Sequence, residues 1–211
     1  MPPKKVFNRE EIINAAFDIL RSKGKKALSA RTLAYELDSS TMPIYTTLTS
    51  MKSIEKELDR KMFDLFIDYA KSPVTGDTFT DISWGYIRFA RDEKELFKLM
   101  FLDTKPRGIA AYKKNKGPIV SLLLERLSAE SEFADLPETE MARIMEMNEI
   151  FIHGIASLIA AGRFENLSDE HILSLIREIR EFLIRRNTLS EYIQLLKQSA
   201  KSFASKIELG E

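Results

Sequence analysis

The chain has 211 residues, of which 44% are hydrophobic and 30% charged, and its formal net charge is zero. This is the composition of an ordinary globular protein that is long enough to bury a core. The absence of cysteine excludes disulfides, thiolate metal sites and cysteine nucleophiles. No apolar segment follows the basic N-terminus as in a secretory signal, and no apolar run approaches the ~20 residues of a membrane span, so a cytoplasmic protein with no membrane partner is expected.

The zero net charge conceals an asymmetry along the chain. Residues 1–61 carry 12 Lys and Arg against 8 Asp and Glu, whereas residues 62–211 carry 20 against 24. A basic N-terminal segment attached to an acidic remainder suits a phosphate-binding module joined to a second unit.

Helical periodicity runs through nearly the whole chain and predicts an all-α fold. Asn8 is a good N-cap for a first helix that Gly24 ends. A short second helix opens at Ser29 and stops at the polar residues 38–40, and a third starts at Ser40 or Thr41. A long fourth helix is predicted over about residues 50–70.

A linker at residues 72–77 separates these helices from the rest of the chain. Further helices are predicted near residues 78–91, 93–102, 108–130, 138–162, 168–186 and 189–207. The pattern predicts two units, residues 1–50 and residues 51–211, with the helix at 50–71 as their connector.

Three short helices, with a three-residue polar turn between the second and third, are typical of a helix-turn-helix. Apolar residues would fix the angle between its two helices: Leu33, Ala34, Leu37, Ile44 and Leu48. The outward face of the third helix would then be polar and able to enter the major groove of DNA, with Thr41, Met42, Thr46 and Thr47 on it and Tyr45 beside it. A three-helix unit need not bind DNA, so spacing alone leaves both interpretations open.

The identities of the residues support the DNA-binding interpretation. The runs 28–34 and 40–50, with Leu33-Ala34 and Ile44-Tyr45 at matching positions, resemble the DNA-binding region of TetR-family repressors. Two positions depart from the family pattern: Asp38 replaces the turn glycine, and Met51 replaces a lysine, with Lys52 beside it. The spacing and the resemblance together predict these DNA-binding residues: Ser29, Arg31, Ser40, Thr41, Met42, Pro43, Tyr45, Thr46, Thr47 and Lys52.

A weaker resemblance covers the C-terminal half. Residues 84–91, 96–101 and 151–158 are similar to the TetR-family branch with a so-called WHG C-terminal domain. The resemblance implies a homodimer whose interface lies on the helices at 138–162 and 168–186. It also implies a palindromic operator in double-stranded DNA and a small-molecule effector.

Apolar and aromatic residues of this half are candidates for the lining of an effector cavity. The alternative is that they are ordinary core residues. The candidates are Trp84, Met100, Phe101, Tyr112, Met145, Phe151 and His153. His153 lies four residues after Glu149, a spacing that could hold a metal, but no third ligand is evident, so neither a metal nor a cofactor is expected.

These inferences favour a ligand-responsive homodimeric repressor that a small, mostly apolar effector releases from its operator. A ligand-independent activator or architectural protein with the same helix-turn-helix is the alternative. An enzyme is not expected, because the chain has two histidines and lacks paired Glu-x-x-His motifs and Gly-rich phosphate loops.

Overall fold

A computed structural model describes residues 7–48, 50–103, 126–128, 130, 133–134, 136–164 and 166–185. Within these ranges all regular secondary structure is helical, which confirms the predicted all-α fold.

The first four helices are α1 (Arg9–Lys23), α2 (Ala30–Glu36), α3 (Thr41–Thr47) and α4 (Met51–Lys71). They begin and end where the sequence predicts. The Asn8 side chain accepts a hydrogen bond from the Glu11 amide, and the Glu11 carboxylate accepts one from the Asn8 amide, so the two side chains satisfy amides that a helix start leaves unpaired. Ser50 caps α4 through one such bond, in which its hydroxyl oxygen accepts from the Ser53 amide.

The remaining described helices are α5 (Thr78–Asp92), α6 (Lys94–Phe97), a π-helical turn (Lys98–Leu102), α7 (Glu138–Ala160) and α8 over residues 169–185. The sequence predicts one helix over 93–102, and the structure divides it into α6 and the π turn. Of the helix predicted near 108–130, residues 126–128 are described and helical. Residue 130 is also described and lies in a bend, whereas the other residues of that predicted helix and the helix predicted at 189–207 lie outside the described residues.

Helix α5 is the centre of the molecule, because it packs against α4 on one side and α7 on another. Gly85 permits the first of these contacts: a Cβ at this position would lie 2.1 Å from the carbonyl oxygen of Tyr69. One apolar core extends from α1 to α8. A second, smaller cluster joins the start of α5 to α7 and α8 and comprises Phe79, Leu127, Phe133, Met141, Ile144 and Leu183.

Among the described residues, no helix combines the length and the apolar character needed to cross a membrane. The same part of the chain contains no group of three or more His, Asp or Glu side chains arranged to hold a metal ion.

Candidate nucleic-acid interface

Helices α2 and α3 are joined by a tight turn whose geometry follows from Asp38. Its φ of 47° lies in the left-handed region, which Asp tolerates better than most residues. The Ser39 amide donates to the Ala34 carbonyl and the Asp38 amide donates to the Tyr35 carbonyl, which is the Schellman ending of a helix. The structure thus confirms the expectation that Asp38 takes the role of the family's turn glycine.

The outward face of α3 consists of Met42, Tyr45 and Thr46, at helical positions i, i+3 and i+4. Met42 is 68% exposed and Tyr45 is 44% exposed, whereas Ile44 and Leu48 are buried against the rest of the molecule. Thr46 is exposed as well, and its hydroxyl donates to the Met42 carbonyl at 2.9 Å, so the same oxygen can still accept a hydrogen bond from a partner. Large apolar side chains exposed together on a short helix indicate a contact surface.

Thr47 lies on the flank of α3, not on the outward face where the sequence places it. Its side chain is half-buried, and its hydroxyl donates to the carbonyl oxygen of Phe7 at 3.0 Å. The hydroxyl proton is therefore engaged by the residue that precedes the cap of α1. This bond joins two positions 40 residues apart in the chain, so no local pattern reveals it.

The other predicted DNA-binding residues lie at the starts of α2, α3 and α4. The side chains of Ser29 and Thr32 form a reciprocal cap at the start of α2. Ser40 is exposed and its hydroxyl makes no capping bond to α3, so it remains available to a partner. Thr41 and Pro43 are half-buried, whereas Arg31 and Lys52 are exposed.

The C-terminal end of α1 is held by an ion pair with a buried carboxylate. Arg21 pairs with Glu93 through two nitrogens, and the Glu93 carboxylate is fully buried while Arg21 is 51% exposed. Hydrogen bonding to Glu93 raises the pKa of Arg21. The Tyr69 hydroxyl lies between Asp92 and Glu93, and burial, reinforced by these two carboxylates, raises the pKa of Tyr69 to about 12. This cluster fixes α1 to α4 and to the end of α5.

Aromatic side chains from α4, α5, α6, the π turn and α7 meet in one cluster. Tyr86 is at the centre, in edge-on or tilted contact with four rings: Phe66, Phe97, Phe101 and His153. Its hydroxyl and His153 Nδ1 are 2.8 Å apart and share a hydrogen bond. We call Phe66, Tyr86, Phe97, Phe101 and His153 the aromatic cluster; its edge toward His153 and Phe101 is half-exposed.

The structure brings together only some of the residues predicted to bind an effector. Phe101 and His153 belong to the aromatic cluster, and Met100 and Phe151 pack on the same core. Trp84 is buried in that core, with its ring 5.3 Å from the Arg91 guanidinium carbon. Met145 packs against the second, smaller cluster, so its predicted place beside the others is wrong. Tyr112 lies outside the described residues.

Sequence reasoning omitted two residues from this region. Tyr86 was outside the predicted set, although its i, i+3 spacing from Phe89 places both on one helical face. Asn148 is buried between α7 and α5, where its amide nitrogen donates to the Ser83 hydroxyl at 2.9 Å. Its amide oxygen has no hydrogen-bond partner among the described residues, and no sequence pattern signals this.

A family model described as tetracyclin repressor-like, C-terminal domain, matches residues 79–182. Residues 79–182 thus match the C-terminal domain of TetR-family regulators. The matched segment begins in α5 and ends in α8, so it includes the aromatic cluster residues of α5 to α7 and lies entirely outside the helix-turn-helix. The match supports a TetR-family transcriptional regulator. No curated protein matches the chain. The assignment to the WHG branch stays a prediction, since the matching description does not name a branch.

Proposed function

We propose that this TetR-family regulator is a cytoplasmic homodimeric repressor that binds a palindromic operator through α3 and is released by a small, mostly apolar effector. The observation that carries the proposal is the exposed face of Met42, Tyr45 and Thr46 on a helix that the Asp38 turn holds against α2. In a helix-turn-helix the second of the two helices enters the major groove.

The chemistry of this face suits base edges. The methyl groups of Met42 and Thr46 can contact thymine methyls, and the Thr46 oxygen can accept from an adenine or cytosine amino group. The Tyr45 hydroxyl can reach phosphate, as can the exposed Arg31 and Lys52. Each mismatched base pair in a specific site of this kind typically costs about 1–3 kcal/mol of binding free energy.

The proposed dimer interface lies on the late helices. In α7, Ile150, Gly154 and Leu158 follow each other at four-residue intervals, and the first two are exposed. A Cβ at Gly154 would meet nothing within 4 Å, so this stretch of α7 is open to close approach by another helix. Phe182 of α8 is also exposed. Apolar groups exposed on both helices support a second copy as the partner.

The effector proposal rests on the half-exposed edge of the aromatic cluster. Met100, Phe101 and Phe151 offer apolar surface there, and the Tyr86–His153 pair offers one polar handle. Whichever ring nitrogen carries the proton, the pair leaves one donor or acceptor unused. Such a surface favours a neutral or singly charged apolar molecule, because a multiply charged one would lose much of its hydration energy on binding.

Selection of binding sites from random DNA duplexes tests the DNA-binding proposal. We expect an inverted repeat whose half-site centres are separated by one or a small multiple of a helical turn, about 34–36 Å per turn. Leu158→Glu should yield monomers that bind this site far more weakly than the unchanged protein. Failure to enrich any sequence would contradict specific DNA binding, and a monomeric wild-type protein in light scattering would contradict the dimer.

A thermal-shift screen of neutral aromatic compounds, followed by DNA release, tests the effector proposal. Compounds that stabilise the protein should also release the selected duplex, and Tyr86→Phe should weaken their effect while preserving DNA binding. If only polyanions stabilise the protein, the apolar effector is excluded and the DNA-binding proposal is unaffected.

A further inference from the structure

The side chains of α3, the recognition helix of the proposed function, are of an unusual kind for reading bases. Its seven residues include no charged side chain and no side-chain amide. In the major groove, guanine is most often specified by an Arg or Lys that reaches O6 and N7, and adenine by the amide of Asn or Gln. Arg31 and Lys52 lie at the starts of α2 and α4, outside α3. The recognition helix itself therefore lacks the groups that form bidentate pairs with purines.

The hydroxyl protons of the last two threonines of α3 are already engaged within the protein. Thr46 donates to the Met42 carbonyl at 2.9 Å, and Thr47 donates to the Phe7 carbonyl at 3.0 Å. A hydroxyl has one proton and two lone pairs, so both oxygens face a partner as acceptors. The N7 and O6 atoms of guanine are acceptors as well and find no donor in them, whereas the amino groups of adenine and cytosine do find an acceptor.

The rest of the outward face is apolar. Met42 is 68% exposed, and the exposed Thr46 follows it one helical turn later on the same face. Thymine is the base that places a methyl group in the major groove, and its partner adenine places an amino group there. A T·A pair thus offers a methyl to the apolar part of the face and a donor to the Thr46 oxygen. A C·G pair offers an amino group without a methyl and adds two acceptors.

We propose that Met42 and Thr46 are specificity-determining residues that select T·A base pairs under α3 through the thymine methyl group. The inference rests on the proposed function, which it deepens by naming the class of DNA sequence. At the base pairs that face Met42 and Thr46, guanine is disfavoured. Arg31 and Lys52, at the edges of the unit, impose no such restriction on the neighbouring base pairs.

The test replaces each thymine of the selected half-site in turn by uracil, which removes the methyl group and keeps the base pairing. At the thymines that face α3, the affinity of the unchanged protein should fall about fourfold, the value of one buried methyl group. Thr46→Ser removes the methyl from the protein side and retains the hydroxyl, so it should weaken binding to the thymine duplex by about the same factor.

The two removals should not multiply, because they delete the two sides of one contact. In Thr46→Ser, one thymine should become nearly insensitive to replacement by uracil, and in Met42→Ala a thymine facing that residue should do so. Thr75→Ser is the matched control. It removes the same methyl group in a loop that α4, about 30 Å long, separates from α3. It should keep both the affinity and the sensitivity of the unchanged protein at every thymine.

Three results would overturn the inference: G·C pairs throughout the centre of the selected half-sites, uracil replacements that cost no affinity at any position, or full uracil sensitivity in both Met42→Ala and Thr46→Ser. If selection enriches no DNA sequence, the proposed function fails and the inference falls with it. If it enriches a sequence that the protein binds without regard to thymine methyl groups, the inference alone fails, so the two failures are distinguishable.

Discussion

The two ends of α1 are held by ion pairs of opposite character. Arg9 is 64% exposed and pairs with a partly exposed Glu57, whereas Arg21 pairs with a Glu93 carboxylate that solvent does not reach. Water screens the first pair, so it adds little to stability and its partners separate at small cost. The second pair cannot lose Arg21 without leaving the Glu93 charge buried and unpaired with a cation. The end near the recognition helix can thus adjust to a partner, while the other end is a fixed joint between α1 and α5.

Removing the arginine at each end of α1 should give the largest difference in the free energy of unfolding. Arg21→Ala leaves the buried Glu93 carboxylate without its cation and should lower the free energy of unfolding by about 3 kcal/mol, the low end for a buried pair because Arg21 is half-exposed. Arg9→Ala, on the same helix, should lower it by less than about 1 kcal/mol. Urea unfolding at one fixed protein concentration measures both, and equal losses would remove the distinction between the ends.

The C-terminal end of α1 can also be tested through the backbone conformation of Gly24. It ends α1 with φ 74° and ψ 176°, a conformation that is nearly confined to glycine. A Cβ there would also lie 2.6 Å from an oxygen of Glu95. We expect Gly24→Ala to cost about 2 kcal/mol. Adding Glu95→Ala should recover only the small steric part, because the backbone strain remains; full recovery would show that the conformation itself costs little.

The N-cap at the other end of α1 should contribute less to the free energy of unfolding. Asn8→Ala removes the side-chain acceptor for the Glu11 amide and should cost about 1 kcal/mol. Asn8→Asp keeps an acceptor at the start of the helix and should be nearly neutral. Thermal unfolding of the two variants measures the difference, and a loss in Asn8→Ala as large as that of Gly24→Ala would contradict the ranking of the ends.

The smallest expected effect on stability comes from Tyr69 and is confined to alkaline pH. Folding raises the pKa of Tyr69 to about 12 from an unfolded value near 10, so the fold favours the neutral phenol. Its contribution to stability is complete below pH 10 and is lost as the pH rises toward 12. The stability of the unchanged protein should therefore fall more steeply between pH 9.5 and 11 than that of Tyr69→Phe. If the two proteins give parallel curves of unfolding free energy against pH in urea unfolding, the Tyr69 phenol is not shielded at the junction of α1, α4 and α5.

The features that the sequence predicts well are those coded within a few residues. Asn8, Ser29 and Ser50 each cap the helix that follows them, and Asp38 supplies the left-handed turn between α2 and α3. Each depends on residues no more than five positions apart, so composition and spacing suffice to place the helix-turn-helix.

The contacts that sequence reasoning missed join distant segments. Thr47 reaches Phe7 across 40 residues, Tyr86 reaches His153 across 67, and Arg21 reaches Glu93 across 72. Apolar periodicity identifies the inner face of a helix but not the helix it meets, which is why Met145 was grouped with the wrong cluster. Polar residues such as Glu93 and Asn148 resemble surface residues until the packing of other helices buries them.

The affinity of the outward face of α3 for DNA tests the central claim most directly. On the duplex selected by the unchanged protein, Tyr45→Ala/Thr46→Ala should weaken binding by roughly 2–5 kcal/mol, from one lost base contact and one lost phosphate contact, with the unfolding midpoint preserved because both side chains are exposed. Tyr35→Phe, which keeps the exposed ring on α2, serves as the matched control and should bind as the unchanged protein does. Fluorescence anisotropy that gives the double variant the same affinity as the unchanged protein would contradict recognition by this face.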